Sequence, residues 1–195
     1  MIRLSNVRSG HAFLGKLKLA VAPLVFGLTP PDIMRVLFYR PKFFGKPMGH
    51  LHQDVLRGPS DWTVAERELF AAYVSAKNRC RFCKQAHTAV ADRALGRSVV
   101  DEVLAGGTPK EVSAKALAML PFLEKLTITP EAMRAEDLEP LRGANIADAA
   151  IADAVYVCML FCAMNRMVDA IGCELMGVDQ LDKVARMLLE KGYEL

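Results

Sequence analysis

Net charge is scarce in this sequence. Its 25 lysines and arginines nearly balance 22 acids, and the resulting +3 gives no reason to expect a nucleic-acid partner. Aromatic residues are also few, 7% against 52% hydrophobic residues overall, so the core must be built mainly from aliphatic side chains, alanine and methionine. There are five cysteines (Cys80, Cys83, Cys158, Cys162 and Cys173). An odd number in a chain of this length does not resemble a secreted disulfide framework, and a reducing, cytoplasmic setting is expected. No apolar run reaches the ~18 residues of a membrane span. The closest, 154–164, is bounded by Asp153 and by Asn165 and Arg166, so no span is expected. No solenoid repeat, low-complexity tract or confident strand pattern is visible.

Acids are missing altogether from residues 1–31, which carry Arg3, Arg8, Lys16 and Lys18 before the nearly apolar run 19–28. Basic then apolar sequence is how a signal peptide begins. Pro23 interrupts the run, however, and no small-residue cleavage site follows. Residues 1–30 are read instead as an arm packed on the domain or on a neighbouring subunit, and 31–195 as a single helical domain.

What is present is helical periodicity. Pro30 and Pro31 open a segment at 32–39 that Pro41 ends, and a polar stretch with Pro47, Gly49, Gly58 and Pro59 follows. Thr63 and Glu66 form a capping box at a helix start, and Leu69, Phe70, Tyr73 and Val74 continue it with helical spacing. Asn78 can close that helix in a left-handed conformation. The next helix then opens at the cysteines and stops at Gly96. A short helix covers 98–104. Thr108, Pro109 and Glu111 suggest a second capping box for a helix toward Leu126, kinked at Pro121. A short helix ends at Gly143, a long, nearly all-apolar one runs over about 146–176, and an amphipathic one covers 179–191. The expectation is an all-α bundle of about seven to eight helices with a CxxC pair at a helix N-terminus.

Chemistry concentrates in Cys80, Cys83 and His87, with Glu68 twelve residues before the first cysteine. Offsets of three, four and seven share one helix face, so all three side chains can enter one pocket. A thiol reacts as its thiolate. A helix start offers unpaired N–H groups and the positive end of the macrodipole, and Arg79, Arg81 and Lys84 add positive potential. His87 is placed to take a proton from Cys83, and Glu68 to orient the imidazole or pass that proton on. Such an assembly can reduce a peroxide by thiolate attack and resolve the sulfenic acid as a disulfide. Two other uses of the same residues stand beside this. One is zinc, with His50 or His52 as fourth ligand, although a second ligand pair is missing. The other is a buried free pair with a core histidine, although three interleaved basic residues argue against deep burial. Cys158, Cys162 and Cys173 read as small core hydrophobes, His50 and His52 as surface or entrance residues, and Trp62 as a hydrophobic staple.

Residues 63–87 resemble the alkylhydroperoxidase D-like proteins of the carboxymuconolactone decarboxylase superfamily, whose signature is a Glu, then CxxC, then His, at the spacing of Glu68, Cys80, Cys83 and His87. Segments 35–41, 125–130, 137–153 and 161–172, with Asn165, Arg166 and Asp169, extend the likeness to the longer peroxidase-related branch, over about 24–176. The resemblance implies the family's helical bundle, assembled as trimers or hexamers. It also implies a thiol-dependent hydroperoxidase or disulfide oxidoreductase of antioxidant defence. Such an enzyme acts on a hydroperoxide, is recharged by a dithiol or lipoyl-type reductant, and uses neither bound cofactor nor metal. Carried over, Cys83 is the nucleophile and Cys80 the resolver, with His87 and Glu68 as the relay. Phe82 stands where some members carry a second histidine. The rivals are a carboxymuconolactone decarboxylase-type enzyme, which uses no CxxC, and a non-catalytic redox-sensing oligomer.

Overall fold

Every regular element among the residues described by the computed structural model, 2–194, is a helix. The terminal Met1 and Leu195 of the expected arm and domain lie outside that range. In chain order the α-helices are α1 Ser5–Ser9, α2 Phe13–Phe26, α3 Asp32–Tyr39, α4 Lys46–Arg57, α5 Val64–Lys77, α6 Arg81–Leu95, α7 Val100–Leu104, α8 Ala114–Ile128, α9 Glu139–Gly143, α10 Asp148–Ile171 and α11 Val178–Lys191. A π-turn at Pro41–Gly45 and two 3-10 turns fill the joins. Three of these helices, α1, α2 and α4, are additional to the elements read from sequence. In α4 Pro47 falls in the first turn, where its missing N–H costs nothing, and Gly58 is the C-cap. Gly49 tolerates its helical place because a Cβ there would meet the Tyr193 carbonyl at 3.2 Å.

The centre is α5. Its start is fixed by the expected capping box: Thr63 Oγ1 accepts from the Glu66 N–H at 3.2 Å, and Glu66 Oε2 accepts from the Thr63 N–H at 2.9 Å. Trp62 packs edge-on against Phe70 and donates its indole N–H to the Ala150 carbonyl at 2.6 Å, tying this end to α10. Leu69, Phe70, Ala71, Ala72 and Val74 are fully buried against α6, α8 and α10. Burying such side chains contributes about 1.5–3 kcal/mol each for the larger ones, which is what holds a polar carboxylate such as Glu68 inside.

Two local expectations are corrected. The left-handed residue that turns α5 into α6 is Arg79, at φ +60°, while Asn78 stays right-handed at φ −74°. The Asn78 amide is occupied, donating to Asn165 Oδ1 at 3.0 Å, so the strained position passes to the exposed Arg79. The N-cap of α8 is Ser113, which accepts from the Ala116 N–H at 3.1 Å, and not Thr108. Glu111 is drawn away to Arg97 at 3.0 Å.

α10 is the one described helix long and apolar enough to cross a membrane by length and composition, at 24 residues, yet half of its most apolar stretch is buried inside the protein. The long core helix of a globular bundle has the same profile. α11 packs on α6 through Val184 and Ala185, with Arg93 and Asp182 paired at 2.6 Å. The N-terminal arm folds back on the body: the Arg3 N–H bonds the Ile171 carbonyl at 2.8 Å, and Ile2 and Val7 pack with Val36 and Ile171.

Candidate functional site at the start of helix α6

Cys80 is the N-cap of α6, and its carbonyl accepts the Lys84 N–H at 3.0 Å. Cys83 lies in the first turn and His87 one turn further, both on the inward face. Arg81 and Lys84, rotated away from that face, cover the outside, and Lys84 pairs with Asp101 at 3.0 Å. This overturns the expectation of an exposed pair, since Cys80 is 0% and Cys83 4% exposed. Basic neighbours in sequence point elsewhere on a helix, because successive residues turn by about 100°.

Cys83 opens instead onto a partly open cavity of ≈ 130 Å³. Its walls come from α2, α3, α4, α6, α10 and α11, and from the 28–31 loop. They are almost wholly apolar, with Met34, Met48, Met164, Met176 and Met187 among them. The polar exceptions are Cys83, His87, His52 and Tyr193. Cys80 does not line this space.

Glu68, fully buried on α5, organises the polar edge. Its Oε2 receives His87 Nδ1 at 2.7 Å, and its Oε1 receives Arg57 Nη2 at 2.7 Å and the Tyr193 hydroxyl at 2.8 Å. Burial alone would raise this carboxyl. His87, through its charge and hydrogen bond, then Arg57 and Tyr193 outweigh burial and hold it below the usual carboxylate range. An ionised Glu68 only accepts, so Nδ1 of His87 carries the proton and Nε2 is the nitrogen left for exchange. The Tyr193 hydroxyl is pushed well above its ordinary value, first by burial and then by the Glu68 charge.

The two sulfurs are unequal. Cys80 is drawn down, first because the Cys83 thiol donates toward it, against the opposing effects of burial and of Asp169. Cys83 is driven up by that same commitment of its proton and then by burial, with Asn165 partly opposing. Cys83 therefore keeps its proton at rest and needs a base, while Cys80 is the better resting thiolate.

Of the two histidines expected at the surface or an entrance, His52 is not at the surface. It is buried on α4 and faces the cavity. Its Nδ1 lies 2.7 Å from the Met48 carbonyl, and its ring sits 5.4 Å from that of Tyr193 and 6.0 Å from that of Phe161. Burial pushes its imidazole down to about 4, so it is neutral near pH 7, donates from Nδ1 and offers Nε2 as an acceptor. His50 remains outside, 3.2 Å from Glu194. Among the described residues no group of three or more His, Cys, Asp or Glu is arranged to hold a metal ion. Nothing in the sequence singles out Arg57 and Tyr193, which reach Glu68 from 11 and 125 positions away. Arg57 closes α4, a stretch whose glycines and prolines read as loop.

No family model matches the chain, nor does any curated protein. Solved structures do. An uncharacterized peroxidase-related protein from Silicibacter sp. TM1040 superposes with a TM-score of 0.77 at 20% identity, over 94% of this chain and 95% of that one. A second, an alkylhydroperoxidase core described as an uncharacterized peroxidase-related protein from Ralstonia eutropha, gives 0.73 at 22% identity, over 91% and 92%. At these identities the likeness establishes the fold: the chain has the all-helical alkylhydroperoxidase D-like architecture along nearly its whole length.

Proposed function

We propose that this chain is a thiol-dependent hydroperoxidase in which Cys83 attacks, Cys80 resolves, and His87 with Glu68 moves the proton. The observation that carries this reading is the union of Cys83 and His87 on one helix face at the wall of a partly open apolar cavity, with His87 anchored 2.7 Å from an ionised, buried carboxylate. The raised thiol of Cys83 makes the base necessary, and access makes Cys83 the sulfur a peroxide meets.

The steps balance. His87 Nε2 takes the Cys83 proton, and the sulfur attacks the distal oxygen of ROOH. The O–O bond breaks, leaving Cys83 as a sulfenic acid and releasing ROH with the proton returned by His87. Cys80 then attacks the Cys83 sulfur and expels water, giving the disulfide. An external dithiol, of lipoyl type, restores both thiols by exchange. No other cofactor is required. A neutral His52 across the cavity supplies an acceptor for the hydroperoxide O–H, taking a role that Phe82 cannot play. A reducing, cytoplasmic compartment suits the recharging step.

A homo-oligomer, trimer or hexamer, accompanies this reading. On α2 the apolar Phe13, Leu14, Leu24 and Val25 are 65–86% exposed, and such a patch favours a partner surface. Continuous consumption of an organic hydroperoxide with dihydrolipoamide tests the enzyme reading. Turnover over many equivalents is expected. Oxidation of one equivalent followed by arrest would leave only a redox sensor.

A further inference from the structure

A second sulfur pair, unused by the chemistry above, sits on α10. Cys158 Sγ and Cys162 Sγ are 3.9 Å apart. Cys158 is in the core, 2% exposed, with Thr127 Oγ1 at 3.4 Å. Cys162 is half-buried at the edge of the helix, between that core and the exposed Met159 and Arg166. Its sulfur accepts Asn78 Nδ2–H at 3.5 Å. The Arg166 guanidinium curls back over it, donating to the Cys162 carbonyl at 2.6 Å. One sulfur thus has an amide donor, a cation and a neighbouring thiol, and its partner has a wholly interior setting. These are the surroundings that separate a reactive thiol from a structural one.

We propose that Cys158 and Cys162 form a second thiol–disulfide exchange site, in which Cys162 attacks a low-molecular-weight disulfide and Cys158 resolves it. Cys162 attacks one sulfur of RSSR, forming Cys162–S–S–R and releasing RS⁻. Cys158 then attacks the Cys162 sulfur, its proton passing to the departing sulfur, which leaves as the second thiol RSH. The protein dithiol is oxidised by two electrons, and the small disulfide is reduced to two thiols. Residues four apart on a helix have Cβ atoms about 5–6 Å apart, beyond the ~3.5–4.5 Å that a disulfide spans, so closing the Cys158–Cys162 link requires this turn of α10 to open locally. The direction of attack agrees with the two thiols: the Cys158 S–H, then Asn78 and Arg166, bring Cys162 down to about 5, whereas Cys158 is raised.

The site has a route to the first one. Asn78 Nδ2 also donates to Asn165 Oδ1 at 3.0 Å, and Asn165 lies beside Cys83. Capping the Cys162 sulfur removes one of the two acceptors of Asn78, and the change is delivered next to Cys83. The exchange itself does not depend on peroxide chemistry at Cys83, so each can fail without the other.

Peptide mass mapping of the reduced, folded chain tests this. Under limiting iodoacetamide at about pH 6, Cys162 should be alkylated at least about tenfold faster than Cys173. Glutathione disulfide should give a mixed disulfide on Cys162 that converts to a Cys158–Cys162 link, and Cys158→Ala should trap the mixed form. Arg166→Gln, on the surface and away from the core, should slow Cys162 alkylation severalfold. Labelling of Cys162 no faster than Cys173, or an Arg166→Gln rate equal to the parent, would overturn the assignment of Cys162. A mixed disulfide that persists in the parent chain would overturn the role of Cys158.

Discussion

His87 Nδ1 and Glu68 Oε2 are 2.7 Å apart inside the protein, and the other oxygen of that carboxylate is shared by Arg57 and Tyr193. Residues 11, 19 and 125 positions away from Glu68 in sequence thus converge on one buried negative charge. The charge sets the imidazole tautomer, and the tautomer sets which nitrogen faces the sulfur chemistry.

Glu68→Gln should therefore damage both activity and stability. It leaves Arg57 buried without its counter-ion, and breaking a buried pair on one side costs about 3–5 kcal/mol. Peroxide turnover should fall by about a hundredfold or more, the range of a lost acid–base group. Tyr193→Phe removes a single hydrogen bond to the same carboxylate and should cost only about 1 kcal/mol. Urea unfolding of the two variants beside the parent measures the contrast.

His52 predicts the acid side of the stability curve. Its folded-state value is about 4 against an ordinary 6.5, so between these limits the unfolded chain holds more protons and stability falls as pH drops. The full difference is on the order of 3 kcal/mol. Glu68, held below its ordinary range, adds a further loss that begins as pH falls through the ordinary carboxylate value and is complete once the native carboxylate is protonated. Denaturant titrations at a series of pH values should show the His52→Gln chain flat between about 6.5 and 5, with the later, Glu68-linked fall retained. An unchanged slope would assign the effect to another group.

The α2 surface predicts assembly. Phe13 is 79% and Leu24 86% exposed, a costly display for an isolated chain in water. Light scattering at micromolar concentration should give an oligomeric mass for the parent and a smaller one for Phe13→Glu with Leu24→Glu. A monomeric parent would contradict this. The paired substitution should leave helix content unchanged, since neither side chain is part of the core.

What was legible in sequence was local. The capping box at Thr63 and Glu66 and the spacing of Cys80, Cys83 and His87 are short-range facts, and the α5–α6 hairpin follows them. α4 was missed because Pro47, Gly49 and Gly58 read as loop residues, although each occupies a place a helix tolerates. Burial of the cysteines was misjudged because Arg79, Arg81 and Lys84 are neighbours in sequence and not on the same face. Tyr193 was out of reach altogether: it meets Glu68 across 125 residues, as Arg57 meets Leu188 across 131, and no local pattern encodes such a meeting. Cys162 reads as a core hydrophobe and does pack against the core; its position at the core's edge and the Asn78 donor that set it apart from Cys158 come from tertiary packing, with the Arg166 guanidinium beside them.

The most direct measurement is sulfenic-acid trapping with dimedone, read by peptide mass spectrometry, in the Cys80→Ser chain after one equivalent of an organic hydroperoxide. The account predicts the adduct on Cys83, with the same trapping slowed by about a hundredfold when His87→Ala is added. A Cys80→Ser chain whose Cys83 does not react, while Cys83→Ser carries the adduct on Cys80, would reverse the roles of the two sulfurs and contradict it.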